Sequence, residues 1–442
     1  MVEALTKAVQ AASDAVWGPW TIALLLGTGV FLTWRFRLVQ LTRLPEALRT
    51  LKPRAADGAV GAISPFQAFM TGLGASVGTG NIAGVATAIV TGGPGAVFWI
   101  WAYGFFATTI KLAEAVLAMR FRAAEGSGLS TGPMHYLRDG LGMPKLGMAY
   151  ALIAGIASLT TTPFTQTNSI AVVFHSELGV PAWVTGVALA ALTWLVMIGG
   201  VGSIGRAAER ITPAMVLLYL GGGIVVLVAF AGRIPGVFAL IFREAFSTQA
   251  AAGGAAGTAM MLAVRYGLAR GIYANEAGYG TAAVAYGSAR SDRPVQQGLN
   301  AMMEVYIVSF VTSSVSALTI LVAGVAGSGL KSTALVAQAF AEVIPFGGLV
   351  VLVSALLFGY TTLIGWGYYG EQFLSYVFGS RVVLPYRWIY CGLAVFGATT
   401  SVDLVWAWGD LMNGLQIFPN LVGVLGLSGL VATALREDRA KR

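Results

Sequence analysis

Cysteine, histidine and charged side chains are all scarce in this sequence of 442 residues. One cysteine, Cys391, cannot form a disulfide framework, and two histidines, His135 and His175, leave little from which to build a metal cluster. Charged residues make up only 10% of the chain, whereas soluble proteins carry about 25%. The phosphate-binding pattern G-x-x-x-x-G-K-[ST] is missing as well. These absences argue against a soluble protein, a disulfide scaffold and a cofactor site.

Apolar residues, in contrast, make up 57% of the sequence, and its mean hydropathy is +0.76. Runs of about 18 or more residues with few charges are long enough to cross a bilayer. They predict an all-α membrane protein with eleven transmembrane helices near residues 15–34, 66–90, 95–119, 147–173, 181–200, 211–232, 256–288, 299–326, 346–374, 383–400 and 408–434. The sequence W-R-F-R follows the first segment, so we expect a retained helix rather than a signal peptide.

The net charge of +8 is distributed unevenly over this topology. With an external N-terminus, twenty Lys and Arg residues fall on the cytoplasmic side and four fall outside. Cytoplasmic loops of membrane proteins carry such an excess. We therefore expect a multi-pass protein of the cell membrane, in contact with lipid, with an external N-terminus and a cytoplasmic C-terminus. The basic residues then orient the chain, and nucleic acid is not expected as a partner.

The second segment is interrupted at its middle by the glycine-rich run G-A-S-V-G-T-G-N at 74–81. Glycine weakens a helix interior, and freed backbone groups at membrane depth are tolerated only where they line a protein-enclosed cavity. A broken helix at mid-membrane is therefore a candidate binding site.

Beyond the first segment, the chain divides into two sets of five spans, 66–232 and 256–434. An odd number of spans makes the second set enter the membrane from the opposite side, which predicts a 5+5 inverted repeat. Its first helix should also be broken, and it contains G-I-Y-A-N-E-A-G-Y-G at 271–280. The alternative is that glycine only permits close helix packing, which suits isolated glycine pairs better. The remaining parts are an N-terminal helix and basic connection (1–65), an external connection (233–255) and a basic cytoplasmic tail (435–442).

Polar side chains in other apolar segments add candidate ligands. Thr361 and Thr362 offer adjacent hydroxyls, and Trp366 lies on the same helix face as Thr362. Gln166 and Asn168 offer amides. The alternative is structural, because Ser and Thr often bond their own helix, Asn and Gln often join two helices, and Trp also marks membrane interfaces.

Few charged residues lie at membrane depth. Lys111 and Glu114 are three positions apart on one helix, so we expect them to neutralise each other. Glu276 lies within the second break, with Arg265 and Arg270 as candidate partners or vestibule charges. We therefore regard Glu276 as a candidate gate or coupling residue.

Several runs are specific enough to indicate a relationship. They are V-G-T-G-N-I-A-G-V-A-T-A-I with G-G-P-G-A-V-F-W (77–99), N-E-A-G-Y-G (275–280), R-P-V-Q-Q-G-L (293–299), G-W-G-Y-Y-G-E (365–371) and P-N-L-V-G-V-L-G-L-S (419–428). Together they resemble the alanine or glycine:cation symporter family, whose members are similar in fold to LeuT-type transporters. The resemblance implies coupling of sodium entry to uptake of small neutral amino acids, chiefly alanine and glycine.

The resemblance also implies a site at the two breaks. The implied substrate-binding residues are Val77, Gly78, Thr79, Gly80, Asn81, Gln166, Tyr273, Asn275, Gly278, Thr362 and Trp366. The implied sodium ligands are carbonyls of Gly74 and Val77 and hydroxyls of Thr361 and Thr362. The chain departs from the family in segment eight, where an aspartate is usual and this sequence has Val308. If that carboxylate serves an ion or a gate, this protein has lost it.

We expect alternating access around a midplane site, with sodium and substrate favouring the same closed state. One alternative keeps the fold but couples uptake to protons through Glu276, or carries another small solute. An integral membrane enzyme using Glu276 and His135 is disfavoured, because His135 lies in the 120–146 connection, away from both breaks. A channel is disfavoured because no filter-like ring is evident. No obligate protein partner is indicated.

Overall fold

A computed structural model of the chain describes residues 2–49, 59–125, 128–246 and 256–441, and almost all of them lie in helices. The α-helices are α1 (Val2–Val16), α2 (Pro19–Arg35), α3 (Val39–Thr42), α4 (Leu44–Arg49), α5 (Pro65–Ser76), α6 (Ala83–Gly92), α7 (Ala96–Phe121), α8 (Pro133–His135), α9 (Pro144–Thr160), α10 (Thr162–Leu178), α11 (Ala182–Met197), α12 (Gly200–Ala229), α13 (Ile234–Ala245), α14 (Ala256–Asn275), α15 (Thr281–Gly287), α16 (Pro294–Val305), α17 (Ser313–Ala323), α18 (Ser332–Ala341), α19 (Gly347–Phe378), α20 (Val383–Thr399), α21 (Val402–Gly426) and α22 (Ser428–Ala440).

Shorter elements join these helices. Four are 3-10 turns, at Thr79–Asn81, Ala231–Arg233, Val325–Gly327 and Ser380–Val382. Two are π-helical stretches, at Tyr136–Gly140 and Tyr306–Thr312. Within the described residues the single sheet is an antiparallel hairpin of β1 (Ala123–Glu125) and β2 (Gly128–Ser130).

By length and composition, six stretches of the described chain can cross a membrane. They are Ala96–Phe121, Pro144–Leu178, Gly200–Ala229, Pro294–Ala323, Gly347–Phe378 and Ser380–Thr399. Three bent pairs of helices raise this number to nine when each pair is one span: α1 with α2, α5 with α6, and α21 with α22. The predicted all-α class is therefore confirmed, while the count of eleven spans stays a prediction.

Some connections contain helices that the hydropathy pattern did not indicate. Helix α13 lies in the predicted external connection, of which residues 247–255 are outside the described part, and α18 lies between the eighth and ninth predicted segments. After a bend of 53°, α22 continues to Ala440, so the predicted tail begins inside a helix. Short helices of this kind lack the long apolar runs by which spans are recognised.

Helices α7 and α19 form the centre of the bundle. Helix α7 packs against α14, α15 and α16, and α19 packs against α5, α9, α10 and α12. Most of the apolar residues of both helices are buried, whereas α12 exposes large side chains such as Leu217 and Val228. A helix that is apolar on all sides must be covered by protein or by lipid. The exposed apolar face of α12 is therefore suited to contact with lipid, whereas most of α7 and α19 is enclosed by protein.

Candidate functional site

The first predicted break is present between α5 and α6, whose axes differ by 55°. Helix α5 starts at a capping box, in which Ser64 and Gln67 exchange side-chain and backbone hydrogen bonds of 3.1 Å. It ends at Ser76, and Gly78 is extended with φ −106° and ψ −171°. The chain resumes as the 3-10 turn Thr79–Asn81 and then α6.

Side chains satisfy the backbone groups that this break frees. The Oε1 atom of Gln166 accepts hydrogen bonds from the backbone N–H and the hydroxyl of Thr79, at 3.2 and 2.9 Å. The Nδ2 atom of Asn81 donates to the Ser76 carbonyl at 2.8 Å. Unpaired polar backbone is costly at membrane depth, so these bonds explain how the helix can end there.

The second predicted break lies between α14 and α15. Three of its residues have left-handed backbone, Glu276 with φ 56°, Gly278 with φ 96° and Gly280 with φ 85°. The Oε1 atom of Glu114 accepts hydrogen bonds from the backbone N–H groups of Gly278 and Gly280, at 3.0 and 3.2 Å. It also accepts a hydrogen bond from Nδ2 of Asn420 at 2.7 Å. A carboxylate on α7 thus takes the place of the helical carbonyls that this segment has lost.

The structure corrects the expected pairing of Lys111 with Glu114. The Lys111 ammonium forms a buried ion pair with Glu304 of α16 and donates to Ser76 Oγ at 2.8 Å and to the Asn275 carbonyl at 2.6 Å. Ser76 ends α5 and Asn275 ends α14, so one cation ties both breaks together. Sequence reasoning missed Glu304, although a carboxylate inside the predicted eighth segment is itself a signal; its pairing with a distant helix required the structure.

A small cavity of about 20 Å³ lies between the two breaks. Of the predicted site residues, it is lined by Gly78, Gly80, Gln166, Tyr273, Glu276, Thr362 and Trp366. Its other lining residues were not predicted: Ala75, Ser76, Thr161, Thr162, Ala274, Tyr279 and Asn413. Ala75 and Ser76 belong to the run 74–81 that indicated the first break, and Thr161 and Thr162 to the polar run that precedes Gln166, so all four were within reach of sequence reasoning. Asn413 is a polar residue inside the last predicted segment.

The other predicted ligands lie outside the cavity lining. They are Gly74, Val77, Thr79, Asn81, Asn275, Gly278 and Thr361. The Thr361 hydroxyl donates to carbonyls of its own helix, at Leu357 and Phe358, both at 3.0 Å. Asn168, which was weighed as a ligand, donates to the carbonyls of Gly397 and Thr400 and so joins α10 to the end of α20.

Thr362 connects α19 to the first break. Its hydroxyl lies 3.2 Å from the Gly74 carbonyl oxygen and 3.0 Å from the Phe358 carbonyl oxygen. A Cβ atom added to Gly78 would approach the Thr362 hydroxyl to 2.7 Å. Glycine at position 78 therefore allows the Thr362 hydroxyl to lie this close to the first break. Hydroxyl and carbonyl oxygens from two helices therefore converge at this point, and oxygen is the ligand that hard cations prefer.

Glu276 is held by neutral donors. Its Oε1 atom accepts from Trp366 Nε1 at 2.6 Å, and its Oε2 atom accepts from Thr281 Oγ1 at 2.9 Å. Among the described residues no cation forms an ion pair with Glu276 within 4.0 Å. Because a carboxylate accepts about four hydrogen bonds, Glu276 retains acceptor capacity toward the cavity.

The arginines considered as partners of Glu276 lie instead in a vestibule of about 470 Å³. Arg265 pairs with Asp14 at 2.6 Å, and Arg270 pairs with Asp410 at 3.1 Å. The Arg270 guanidinium also lies 5.9 Å from the ring centroid of Tyr273, which lines the central cavity. Tyr273 therefore stands between the vestibule and the cavity.

His135 has a structural environment away from the cavity. It is fully buried, its Nε2 lies 2.7 Å from Ser130 Oγ, and its Nδ1 lies 3.3 Å from Arg138 Nη2. Burial and the neighbouring Arg138 lower the pKa of His135 to about 4, so the ring is neutral near pH 7. His135 is not among the residues that line the cavity with Glu276.

An apolar helical bundle with two broken helices around a polar cavity has the architecture of a secondary transporter. A model of the sodium:alanine symporter family matches residues 2–442, and the chain belongs to that family. The resemblance inferred from the sequence is thereby confirmed. Since the family consists of symporters, the protein is a multi-pass membrane transporter and not an enzyme.

Two relatives agree with this family, and a solved structure agrees with the fold. The sodium/alanine symporter AgcS of Methanococcus maripaludis is 41% identical over 98% of this chain and 98% of its own. The probable sodium/glutamine symporter GlnT of Bacillus subtilis is 35% identical over 99% of this chain and 91% of its own. MhsT, solved in complex with L-phenylalanine, has a TM-score of 0.60 at 14% identity, covering 86% of this chain and 97% of that chain, and so shares the fold.

Substitution of Lys111 tests whether its ammonium group stabilises the two breaks. Lys111→Met leaves the buried Glu304 carboxylate without a cation, so we expect it to lower the free energy of unfolding by about 3–5 kcal/mol. The double variant Lys111→Met/Glu304→Gln leaves no unpaired charge and should recover part of that loss. Thermal unfolding of the detergent-solubilised protein measures both. Equal stability of the single variant and the unsubstituted protein would contradict the assigned role.

Proposed function

We propose that this protein couples sodium entry to the uptake of a small neutral amino acid, alanine or glycine, by alternating access. The observation that carries the proposal is the cavity between the two breaks, which joins the Glu276 carboxylate, the first break and the Thr362 hydroxyl in one small space. A zwitterion needs an anionic partner for its ammonium group and hydrogen-bond donors for its carboxylate. Glu276 in the cavity lining is the candidate anionic partner, and the Gly80 backbone and the Gln166 amide are candidate donors.

In the proposed pose the substrate ammonium group faces Glu276. The substrate carboxylate faces Gly78 and Gly80 of the first break, close to the N-terminal end of α6, where helix geometry favours anions. Gln166 holds the break in position through Thr79. The side chain of the substrate lies against Trp366 and Tyr279.

The size of the cavity favours small substrates. Its volume of about 20 Å³ exceeds only slightly the roughly 10–15 Å³ that one water needs on this measure. The cavity must therefore widen even to admit alanine, and each further methylene requires additional displacement of Trp366 or Tyr273. We propose alanine or glycine as cargo because a smaller side chain requires less displacement of these walls.

The proposed sodium site consists of oxygens from Gly74, Val77, Thr361 and Thr362, of which the Thr362 hydroxyl and the Gly74 carbonyl lie 3.2 Å apart. The other oxygen cage, formed by Ser76, Asn275 and Glu304, already holds the Lys111 ammonium. Because the Lys111 ammonium fills that cage, the oxygens around Thr362 are the place that we propose for the mobile sodium ion. We therefore propose one sodium ion for each amino acid.

The proposed topology keeps an external N-terminus, a cytoplasmic C-terminus and two inverted sets of five spans, 66–232 and 256–434. The positive-inside distribution of Lys and Arg supports the orientation. The positions of the breaks, at the first helix of each set, support the inverted repeat. Rocking of one set against the other would expose the cavity to each side in turn.

Uptake of labelled alanine and glycine into proteoliposomes tests the function. We expect an inward sodium gradient to drive accumulation, with glycine competing for alanine uptake and glutamine competing poorly. Accumulation driven by a proton gradient in sodium-free buffer would favour the alternative, in which the buried Glu276 carries a proton. Uptake independent of both gradients would refute coupling.

Substitution of Thr362 tests the sodium site. Thr362→Val keeps the shape of the side chain and removes the hydroxyl, so we expect about tenfold weaker sodium activation of alanine uptake. Thr362→Ser retains the hydroxyl and is the matched control, with sodium activation close to that of the unsubstituted protein. If the valine variant keeps an unchanged sodium response, Thr362 is not a sodium ligand.

Substitution of Glu276 tests recognition of the ammonium group. Glu276→Gln is nearly isosteric and keeps an oxygen that can accept from Trp366 or Thr281, but it removes the charge. We expect the KM for alanine to rise about a hundredfold, because truncating one partner of a buried charge pair costs about 3 kcal/mol. Sodium-driven uptake at a range of alanine concentrations measures the change. A normal KM with a lost sodium response would assign Glu276 to ion coupling instead.

A further inference from the structure

A separate cavity of about 230 Å³ is lined by five arginines from opposite ends of the chain. They are Arg35, Arg37, Arg43, Arg436 and Arg439, with Phe36, Val39, Ala432 and Leu435 as the apolar part of the lining. We call it the arginine cavity. It lies where the end of α2 and the start of α3 meet α22, and it shares no lining residue with the transport cavity.

Arg43 is built into the wall of the arginine cavity. Its side chain is almost fully buried, its Nε and Nη2 atoms donate to the Glu46 carboxylate at 2.7 Å, and Nη2 also bonds Asp438. Its Nη1 atom, however, is buried and has no hydrogen-bond partner in the described part of the chain. Two carboxylates therefore hold the Arg43 charge in the wall, and one of its buried N–H groups lacks an acceptor among the described residues.

The other four arginines of the cavity lining have no ion pair within the described residues. In the described residues no carboxylate lies within 4.0 Å of Arg35, Arg37, Arg436 or Arg439. The Nη2 atoms of Arg436 and Arg439 bond only the hydroxyls of Thr433 and Thr42, both at 3.2 Å. The positive-inside rule requires cations on one side of the membrane but not their convergence on one cavity. These four exposed side chains present positive charge at one cavity, and such a cavity attracts anions.

The turn that carries Arg37 is strained and amphipathic. Arg37 and Leu38 both have left-handed backbone, with φ 55° and 53°, which is unfavourable for residues other than glycine. The turn places Arg37 at the cavity and leaves Leu38 exposed on the surface, near exposed Trp34 and Leu41. Tryptophan is enriched at the membrane interface. A charged cavity beside exposed apolar side chains suits a ligand with a charged head and hydrocarbon chains.

We propose that the arginine cavity binds the phosphodiester headgroup of an anionic glycerophospholipid from the cytoplasmic leaflet. The guanidinium groups of Arg37 and Arg436 bind the phosphate oxygens, since guanidinium groups match phosphate geometry. The acyl chains lie along Trp34, Leu38 and Leu41. Basic pockets between membrane helices on the cytoplasmic side recognise such headgroups. The proposal rests on the proposed orientation and is independent of the transported substrate.

Lipid binding by the full-length, detergent-purified protein tests the proposal. Phosphatidylglycerol is titrated in mixed micelles against phosphatidylcholine, and retained lipid is counted by native mass spectrometry beside thermal unfolding. The variant Arg37→Gln/Arg436→Gln removes two cavity charges and leaves the ion pairs of Arg43 intact. We expect about thirtyfold weaker binding of phosphatidylglycerol by this variant. The matched control Arg206→Gln/Arg210→Gln removes equal charge from exposed positions on the same proposed side and should bind like the unsubstituted protein.

Two results would overturn the proposal. Equal retention of phosphatidylglycerol by the cavity variant and by the control would show that lipid binds elsewhere. Equal stabilisation by inorganic phosphate or glycerol phosphate, at concentrations where phosphatidylglycerol acts, would assign the cavity to a soluble anion. Because the readout is binding rather than uptake, failure of this proposal is distinguishable from failure of the proposed symport.

Discussion

The buried Lys111 ammonium is the interaction on which the geometry of the candidate site depends. It bonds Ser76 at the end of α5, the Asn275 carbonyl at the end of α14 and the Glu304 carboxylate on α16. A charge at this depth persists because all three partners are oxygens in hydrogen-bonding geometry. The two breaks are therefore positioned relative to each other by one side chain from α7, and the cavity between them takes its shape from that arrangement.

The ion pair of Lys111 with Glu304 also changes the interpretation of Val308, from which the sequence predicted the loss of a carboxylate in the eighth segment. Glu304 lies four residues before Val308, about one helical turn away, so the eighth segment does carry a buried carboxylate. That carboxylate is neutralised by the protein itself rather than by a mobile ion. An acidic residue at position 308 would have to find a further cation in the same region, and the described residues show the ammonium already shared among three oxygens.

Sequence reasoning reached the parts of the site that depend on local composition. Glycine and polar residues inside apolar segments indicated both breaks, and helical periodicity placed Thr362 and Trp366 on one face, where both line the cavity. The pairing of Lys111 was wrong because proximity in sequence favoured Glu114, whereas packing of α7 against α16 brings Glu304 closer. The arginine cavity was equally beyond reach, since its two halves come from opposite ends of the chain. Such contacts require the tertiary structure.

If the substrate binds as proposed, the environment of Glu276 connects occupancy of the cavity with closure. A carboxylate held only by the neutral donors Trp366 and Thr281 remains costly to bury, because no formal positive charge compensates it directly. An ammonium group from a zwitterionic substrate offsets that cost only when it lies in the cavity. The closed arrangement is then more stable with substrate than without it, and a ligand shifts a conformational equilibrium by that difference in affinity. In the proposed sodium site, an ion near Thr362 would act on the same first break through the Gly74 carbonyl, so ion and substrate would favour closure through one shared element.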